Sequence, residues 1–142
     1  MNNIRRAILC ISVLALLGST FVTIASANSD IRYQTSTFNY HGQTWFTASG
    51  IYNSYIEYNG AADSSYSINR IGLDMRIYDG TTGKFLRDLP AYGSNTNAIA
   101  VLNVGENANW FGPLVRDIYT YFTFEGPYMN WYPSTHDHFV VR

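Results

Sequence analysis

The amino-acid sequence predicts an all-β fold: a single small antiparallel β-sandwich of the immunoglobulin-like or jelly-roll-like kind, with a small β-barrel as the alternative. Three observations predict it. Apolar residues recur with a period of two, turn signals divide the chain at short intervals, and no segment carries a capped apolar stripe of period 3.6. Unequal strand lengths and two long loops favour the sandwich over an even barrel.

Residues 1–27 have the pattern of a cleavable signal peptide. An Arg5-Arg6 pair gives the positive start, the apolar run Ala7–Leu17 follows, and Ala25-Ser26-Ala27 has the small residues of a cleavage site. The run is shorter than the roughly 20 apolar residues that a membrane span needs. The sequence therefore predicts export to the extracellular space and no transmembrane segment in the mature chain.

The mature chain, residues 28–142, has the length of one secreted domain. Cys10 is the only cysteine and lies in the signal, so the mature chain is free of cysteine and has no disulfide. This absence, with the lack of an Asn-x-Ser/Thr acceptor, favours a bacterial exported protein. Seven basic and ten acidic side chains are scattered along the mature chain. This balance argues against nucleic acid or an anionic membrane as a partner.

Turn residues delimit the first four predicted strands. His41-Gly42 separates the first strand from the second, and Asn59-Gly60 with Asp63-Ser64-Ser65 separates the third from the fourth. In the fourth strand, Ile71, Leu73, Met75 and Ile77 occupy alternate positions, and a one-residue slip would place these four apolar side chains in water. Its register should therefore be firm. The four strands are Ile31–Asn39, Thr44–Ser49, Ile51–Tyr58 and Tyr66–Tyr78.

Glycine, proline and asparagine also delimit the fifth and sixth predicted strands. Asp79–Gly83 is a glycine-containing hairpin turn that leads into the short strand Lys84–Arg87. Pro90, Gly93 and Asn95 then interrupt the chain before the sixth strand. That sixth strand runs over Ala98–Val104.

The seventh predicted strand, Leu114–Glu125, is rich in β-branched and aromatic residues. Ile118 and Phe122 point to one face, while Tyr119 and Tyr121 point to the other. If the first pair is buried, the two tyrosines form an exposed flat platform. A closing strand, His138–Arg142, completes the prediction.

Candidate binding residues lie in the two remaining loops, which combine aromatic rings with asparagine. Such rings cover the C–H faces of sugars while amides bond their hydroxyls, and Trp and Tyr also lead among protein-interface hot spots. For Trp110 and Trp131, an equally good interpretation is that each indole fills the open end of a thin hydrophobic core. The candidate ligand-binding residues are Asn109, Trp110, Phe111, Tyr128, Asn130, Trp131 and Tyr132.

No catalytic residue and no cofactor is predicted. The sequence has no Gly-x-Ser-x-Gly elbow, His-Glu-x-x-His helix or glycine-rich phosphate loop. Dispersed carboxylates could still meet in space as a sugar-hydrolysing pair, since spacing along the chain does not constrain them. The carboxylates considered for this role are Glu57, Asp63, Asp74, Glu106 and Glu125.

No metal site is predicted either. His136 and His138 would share one face of a strand and could meet one ion, but a third ligand with telling spacing is missing. Asp79–Gly83 has one carboxylate, too few for calcium, and is better explained as a turn.

These observations predict a secreted, non-catalytic binding module that recognises a polysaccharide, such as a cell-wall polymer, or an extracellular protein through its aromatic loops. The alternative is an exported antagonist, either an antibacterial toxin or an inhibitor of a secreted enzyme. In that case the tyrosine-rich strand Leu114–Glu125 would be an edge or contact face. An enzyme that uses the dispersed carboxylates ranks third.

Overall fold

The computed structural model describes residues 25–49, 53–109 and 114–141, and all regular structure in these ranges is antiparallel β. The all-β prediction is thus confirmed. No helix in these ranges could cross a membrane. Most of the predicted signal peptide, together with Trp110 and Phe111, lies outside the described residues. The strands are β1 (Ala25–Gln34), β2 (Asn39–Ser49), β3 (Asn53–Asp79), β4 (Phe85–Asn109), β5 (Leu114–Glu125), β6 (Asn130–Trp131) and β7 (Ser134–Val141).

The prediction of a turn at His41-Gly42 is wrong, because both residues lie inside β2. The true turn between β1 and β2 is formed at Thr35, whose hydroxyl oxygen accepts the backbone N–H of Phe38 at 2.9 Å. Gly42 serves a different purpose. A Cβ atom there would lie 2.7 Å from two ring carbons of Phe122, so the glycine admits an aromatic ring from β5.

The predicted breaks within β3 and β4 are also wrong. β3 continues through Asn59-Gly60 and Asp63–Ser65, where the irregularity appears as register shifts in its pairing with β4. Pro90 lies inside β4, where its missing N–H is tolerated because β4 pairs on one side only among the described strands. Asn95 in β4 has a positive φ of 52°, yet β4 keeps one register against β3 from Ser94 to Thr96, so the strand is not broken there. Local turn signals therefore marked bulges and edge positions in much longer strands.

A long β3–β4 hairpin organises the sheet. β2 pairs with residues 55–64 of β3, and β5 pairs with residues 70–79, both along the edge of β3 that β4 leaves open. Two arms therefore branch from one strand at successive positions: β1 and β2 form the first arm, and β5, β6 and β7 form the second. The predicted tyrosine-rich strand β5 is consequently an interior strand and not an edge.

The sheet curls so that the two arms face each other. Tyr40 of the first arm stacks on Phe124 of the second, with ring centroids 4.9 Å apart. At the outer ends of the arms, the Ser29 hydroxyl donates to Asp137 Oδ1 at 2.7 Å. The concave side between the arms holds the core, where the predicted alternation of Ile71, Leu73, Met75 and Ile77 places all four side chains out of contact with water. The convex side faces solvent.

Candidate binding face on the convex side of the sheet

Four of the predicted binding residues lie on the hairpin between β5 and β6, and the structure divides them between the two sides of the sheet. Trp131 points to the concave side and is half-buried against Phe124 and Tyr33, at centroid distances of 5.5 and 5.7 Å. Tyr132, the next residue, is 60% exposed, and its hydroxyl donates to Glu125 at 2.9 Å. Asn130 is exposed.

Tyr128 belongs to a separate aromatic group at the end of the first arm. It is 63% exposed and its ring lies parallel to that of Phe38, 5.5 Å away. Tyr66 meets it edge-on at 5.5 Å. Asn109 ends β4 opposite Asn53, far along the chain from this group. The structure therefore does not bring Tyr128, Trp131 and Tyr132 together on one surface.

A larger set of aromatic rings, most of them exposed, lies on the convex side of the second arm and of the part of the β3–β4 hairpin beside it. The conditional prediction for β5 is confirmed: Ile118 and Phe122 are buried, while Tyr119 and Tyr121 are 37% and 45% exposed. Rings from β3, β4 and the segment after β6 join these two tyrosines on the same side. We call this surface the tyrosine face and define it by Tyr78, Phe85, Tyr92, Tyr119, Tyr121 and Tyr132.

Strand register explains why these rings share one side. Since Ile71, Leu73, Met75 and Ile77 point inward, the residues between them point outward. In the ladder, outward positions of β3 pair with ring-bearing neighbours on both sides. The pairs are Gly72 with Tyr92, Asp74 with Tyr121, Arg76 with Tyr119, and Tyr78 with Phe85.

Close contacts hold the rings of the tyrosine face in place. Tyr92 lies over Gly72, where any Cβ atom would collide with its ring, and the Arg70 guanidinium lies 4.9 Å from its centroid. Arg76 covers Tyr121 at 5.0 Å. Such packing restricts ring rotation before a ligand arrives, which lowers the entropic cost of binding.

At the far end of the face, Tyr119 stacks on His136 with centroids 4.2 Å apart and planes within 1°. Tyr78 meets Tyr119 edge-on at 5.7 Å. These contacts extend the ordered rings across three adjacent strands.

Several charged groups on the tyrosine face are paired with each other. Arg76 Nε donates to Asp74 Oδ2 at 3.0 Å. Asp117 Oδ1 lies 2.8 Å from His136 Nε2 and 2.9 Å from His138 Nδ1. Burial raises the pKa of Asp117, but the hydrogen bonds from the two histidines outweigh burial and hold the pKa below its usual value. The face therefore presents rings and charges of both signs rather than a patch of positive charge.

The shared direction of His136 and His138 agrees with the sequence prediction, and both side chains contact the same carboxylate. Within residues 25–49, 53–109 and 114–141, however, no group of three His, Cys, Asp or Glu side chains is arranged to hold a metal ion.

The carboxylates considered for catalysis each contact a different neighbour. Glu106 accepts hydrogen bonds from Tyr58 and Arg116, and Glu57 accepts one from Asn59. Asp74 and Glu125 bond Arg76 and Tyr132, as described above. None of these hydrogen bonds joins two of the five carboxylates.

Asp63 lies by a small pocket of about 160 Å³ next to the turn between β1 and β2. There His41 lies between Asp63 and Asp30, with nitrogen–oxygen distances of 3.0 and 3.2 Å. Hydrogen bonds from Arg32 and His41 lower the pKa of Asp30 to about 2. The charged groups at this pocket thus already form hydrogen bonds and ion pairs with one another. Of the five candidate carboxylates, Asp63 is the one that lines the pocket.

Comparisons of this chain with protein-family models, with curated proteins and with solved structures find no match. Its function has to be inferred from its own surface.

Sequence reasoning missed three members of the tyrosine face, Tyr78, Phe85 and Tyr92. Tyr92 lies between Pro90 and Gly93, and these two residue types are typical of a break in the chain. The sequence therefore does not indicate that Tyr92 lies on a strand. Gly72 was the available signal, because a glycine inside a strongly alternating strand indicates that another group approaches the backbone closely.

Proposed function

We propose that the mature chain is a secreted, non-catalytic binding module that lays the tyrosine face along an uncharged polysaccharide. The observation that carries this proposal is the gathering of six aromatic rings on one solvent-facing side of the sheet, with charges of both signs between them. Export after removal of residues 1–27 belongs to the same proposal. The curled sheet then serves as a sandwich-like scaffold for the face.

Ring chemistry supports a sugar ligand. Tyrosine offers an apolar ring for the C–H face of a sugar and a hydroxyl group that bonds sugar hydroxyls. Binding to a polyanion would call for excess positive charge. The face instead sets Arg70 and Arg76 against Asp74, Asp117 and Glu125. An uncharged glycan fits this balance better than an anionic one.

The shape of the face supports a polymer over a single sugar. Neighbouring strands lie about 4.8 Å apart, so rings on β4 and β5, separated by β3, are spaced by about 10 Å. Tyr119 and Tyr121 are about 7 Å apart along β5. An extended chain can cover several of these rings at once, whereas one sugar covers one ring.

Replacement of Tyr121 by alanine tests the proposal. The probes are insoluble cellulose, chitin and β-1,3-glucan, with heparin as the polyanionic comparison. We expect the mature protein to bind at least one uncharged polymer and to prefer it over heparin. Tyr121→Ala should weaken that binding by about 2 kcal/mol, or about thirtyfold in Kd, the effect of removing a hot-spot tyrosine.

Tyr128→Ala is the matched control, because Tyr128 is an even more exposed tyrosine that lies off the tyrosine face. It should bind the polymer like the unmodified protein. Loss of binding in Tyr128→Ala with normal binding in Tyr121→Ala would move the site to the aromatic group of Tyr128, Phe38 and Tyr66. Binding to none of the uncharged polymers would contradict the proposal and favour the antagonist hypothesis.

Gly72→Ala should weaken polymer binding without removing any ring. The added methyl group occupies the place of the Tyr92 ring, which must swing away from the sheet. Because Tyr92 is 52% exposed, its side chain can turn outward into solvent, so we expect the free energy of unfolding to change by less than about 1 kcal/mol, while Kd rises about tenfold. Depletion binding isotherms on the insoluble polymer measure the change in Kd, and urea unfolding measures the change in stability.

Gly105→Ala is the control for this variant, since it displaces Tyr55 in the same way at a site off the tyrosine face. It should leave polymer binding unchanged. If Gly72→Ala binds as tightly as the unmodified protein, the placement of Tyr92 does not contribute to recognition.

A further inference from the structure

β4 presents an unusually bare edge. It is 25 residues long and, among the described strands, pairs with β3 alone. From Leu89 to Gly105 it contains no Asp, Glu, Lys or Arg. The backbone N–H and C=O groups along the outer side of such a strand are available for pairing with another strand.

The other two edges of the sheet are protected. β1 and β7 lie close to each other, joined by the hydrogen bond between Ser29 and Asp137. Both also carry charged or ionisable side chains, such as Arg32 on β1 and His138 on β7. Charges on an edge strand oppose pairing with another chain. β4 lacks this protection over its middle part.

The central segment of this edge, Thr96–Leu102, is bounded by two asparagines with a left-handed backbone conformation, and the second of them lies at a register shift against β3. Asn95 and Asn103 have φ angles of 52° and 56°. Between them the segment contains no glycine, proline or charge and includes Thr96, Ile99 and Val101, residues that favour strands. Ile99 and Val101 pack against the core yet stay only half-buried, so the concave side is open at this edge.

We propose that Thr96–Leu102 pairs antiparallel with the same segment of a second copy of this chain, forming a two-fold symmetric dimer with one continuous sheet. In such pairing each residue lies near residues of its own segment, so any charge would meet a like charge. A segment of seven residues without charge can therefore pair with its own copy without repulsion, and an asparagine with a positive φ angle limits it at each end. It offers no complementary charge to a strand of another protein.

This dimer would place both tyrosine faces on the same side of the joined sheet, because the two-fold axis of antiparallel pairing is perpendicular to the sheet. Two tyrosine faces could then bind one polymer chain at the same time. This would increase the apparent affinity without any change in the contacts that each face makes with the polymer. The dimer itself does not depend on the proposed function, and its test uses no polysaccharide.

Light scattering coupled to size-exclusion chromatography, and analytical ultracentrifugation, test the proposal on the mature chain from about 1 to about 500 µM. We expect the mass of a dimer at the higher concentrations. Ala100 is exposed on this segment and lies opposite Ala61 of β3. Ala100→Lys and Ala100→Glu should each be monomeric, because like charges would face each other across the two-fold axis. Thr37→Lys, which adds the same charge at the β1–β2 turn, should dimerise normally.

An equimolar mixture of Ala100→Lys and Ala100→Glu should regain the dimer, since the two chains then carry opposite charges at the shared edge. Urea unfolding of each variant establishes that it is folded. A mature chain that stays monomeric at all concentrations overturns the proposal, as does a dimer that Ala100→Lys leaves intact. Monomeric variants whose mixture stays monomeric also count against pairing through this segment.

Discussion

Arg116→Ala is expected to lower the free energy of unfolding by about 3 kcal/mol, a large effect for a single side chain. Arg116 lies on β5 with a side chain only 7% exposed, and its Nη2 donates to Glu106 Oε1 at 2.7 Å. The Tyr58 hydroxyl donates to the other carboxylate oxygen at 2.6 Å. Breaking a fully buried ion pair costs roughly 3–5 kcal/mol, because one charge is left without a partner. The side chain of Glu106 is 23% exposed, so we expect the loss of stability to lie at the lower end of this range.

The same network predicts how stability responds to acid. Burial raises the pKa of Glu106, but hydrogen bonds from Arg116 and Tyr58 outweigh burial, and the pKa lies below its usual value of 4.5. Ionised Glu106 therefore stabilises the folded chain above about pH 4.5, and this contribution is lost as the pH falls through the lowered pKa. Arg116→Ala removes the dominant favourable partner, so stability should depend less steeply on pH in this range.

Urea unfolding at pH 7 and at pH 3 measures both effects. Arg32→Ala is the control, because Arg32 also bonds a carboxylate, that of Asp30, but both side chains are at least half exposed. Exposed pairs contribute about 0–1 kcal/mol. If Arg116→Ala is no less stable at pH 7 than Arg32→Ala, the Glu106–Arg116 pair does not contribute to the fold as argued.

Trp131→Ala is expected to lower the free energy of unfolding by about 2–3 kcal/mol. The indole packs against the rings of Phe124, Tyr40 and Tyr33 on the concave side. Full loss of a buried large aromatic side chain costs roughly 3–5 kcal/mol, and Trp131 is only half-buried. The neighbouring variant Tyr132→Ala, on the other side of the sheet, should change stability by less than about 0.5 kcal/mol.

Thermal and urea unfolding of these two variants separate the two interpretations of Trp131 that the sequence left open. A stability equal to that of the unmodified protein would show that the indole does not support the core, and recognition by Trp131 would become the better interpretation. A large loss of stability in Tyr132→Ala would mean that the β5–β6 hairpin as a whole, rather than the indole contacts, stabilises this part of the fold.

Alternation along single strands was readable from the sequence. Ile71 to Ile77 in β3 and Ile118 to Phe124 in β5 predicted both which residues are buried and which side carries the tyrosines. Turn signals were less informative. Gly42 and Pro90 are typical of turns, yet one lies under the Phe122 ring and the other on an edge strand. The local sequence does not distinguish a glycine needed for a turn from a glycine needed to admit a ring from another strand.

The candidate binding face could not be predicted from the sequence, because it is formed by contacts between residues far apart in the chain. Tyr92, Tyr121 and Tyr132 lie on three different segments of the chain, and each one alone resembles any exposed tyrosine. They share a surface because β3 places β4 and β5 on its two sides in a particular register. The loop residues that the sequence indicates do not share one surface. Trp131 and Tyr132 are adjacent, and adjacent residues in a strand point to opposite sides of the sheet.

By itself, the sequence determined the all-β class, the inward and outward sides of the best-patterned strands, and a charge balance unsuited to polyanions. These properties follow from the pleat of each strand and from composition, both of which are local. Only the tertiary structure decided which strands are neighbours, how the two arms curl around one core, and which rings meet on the convex side. Those features arise from pairing between residues far apart in the chain, where register is selected by the packing of rings such as Phe122 over Gly42 and Tyr92 over Gly72.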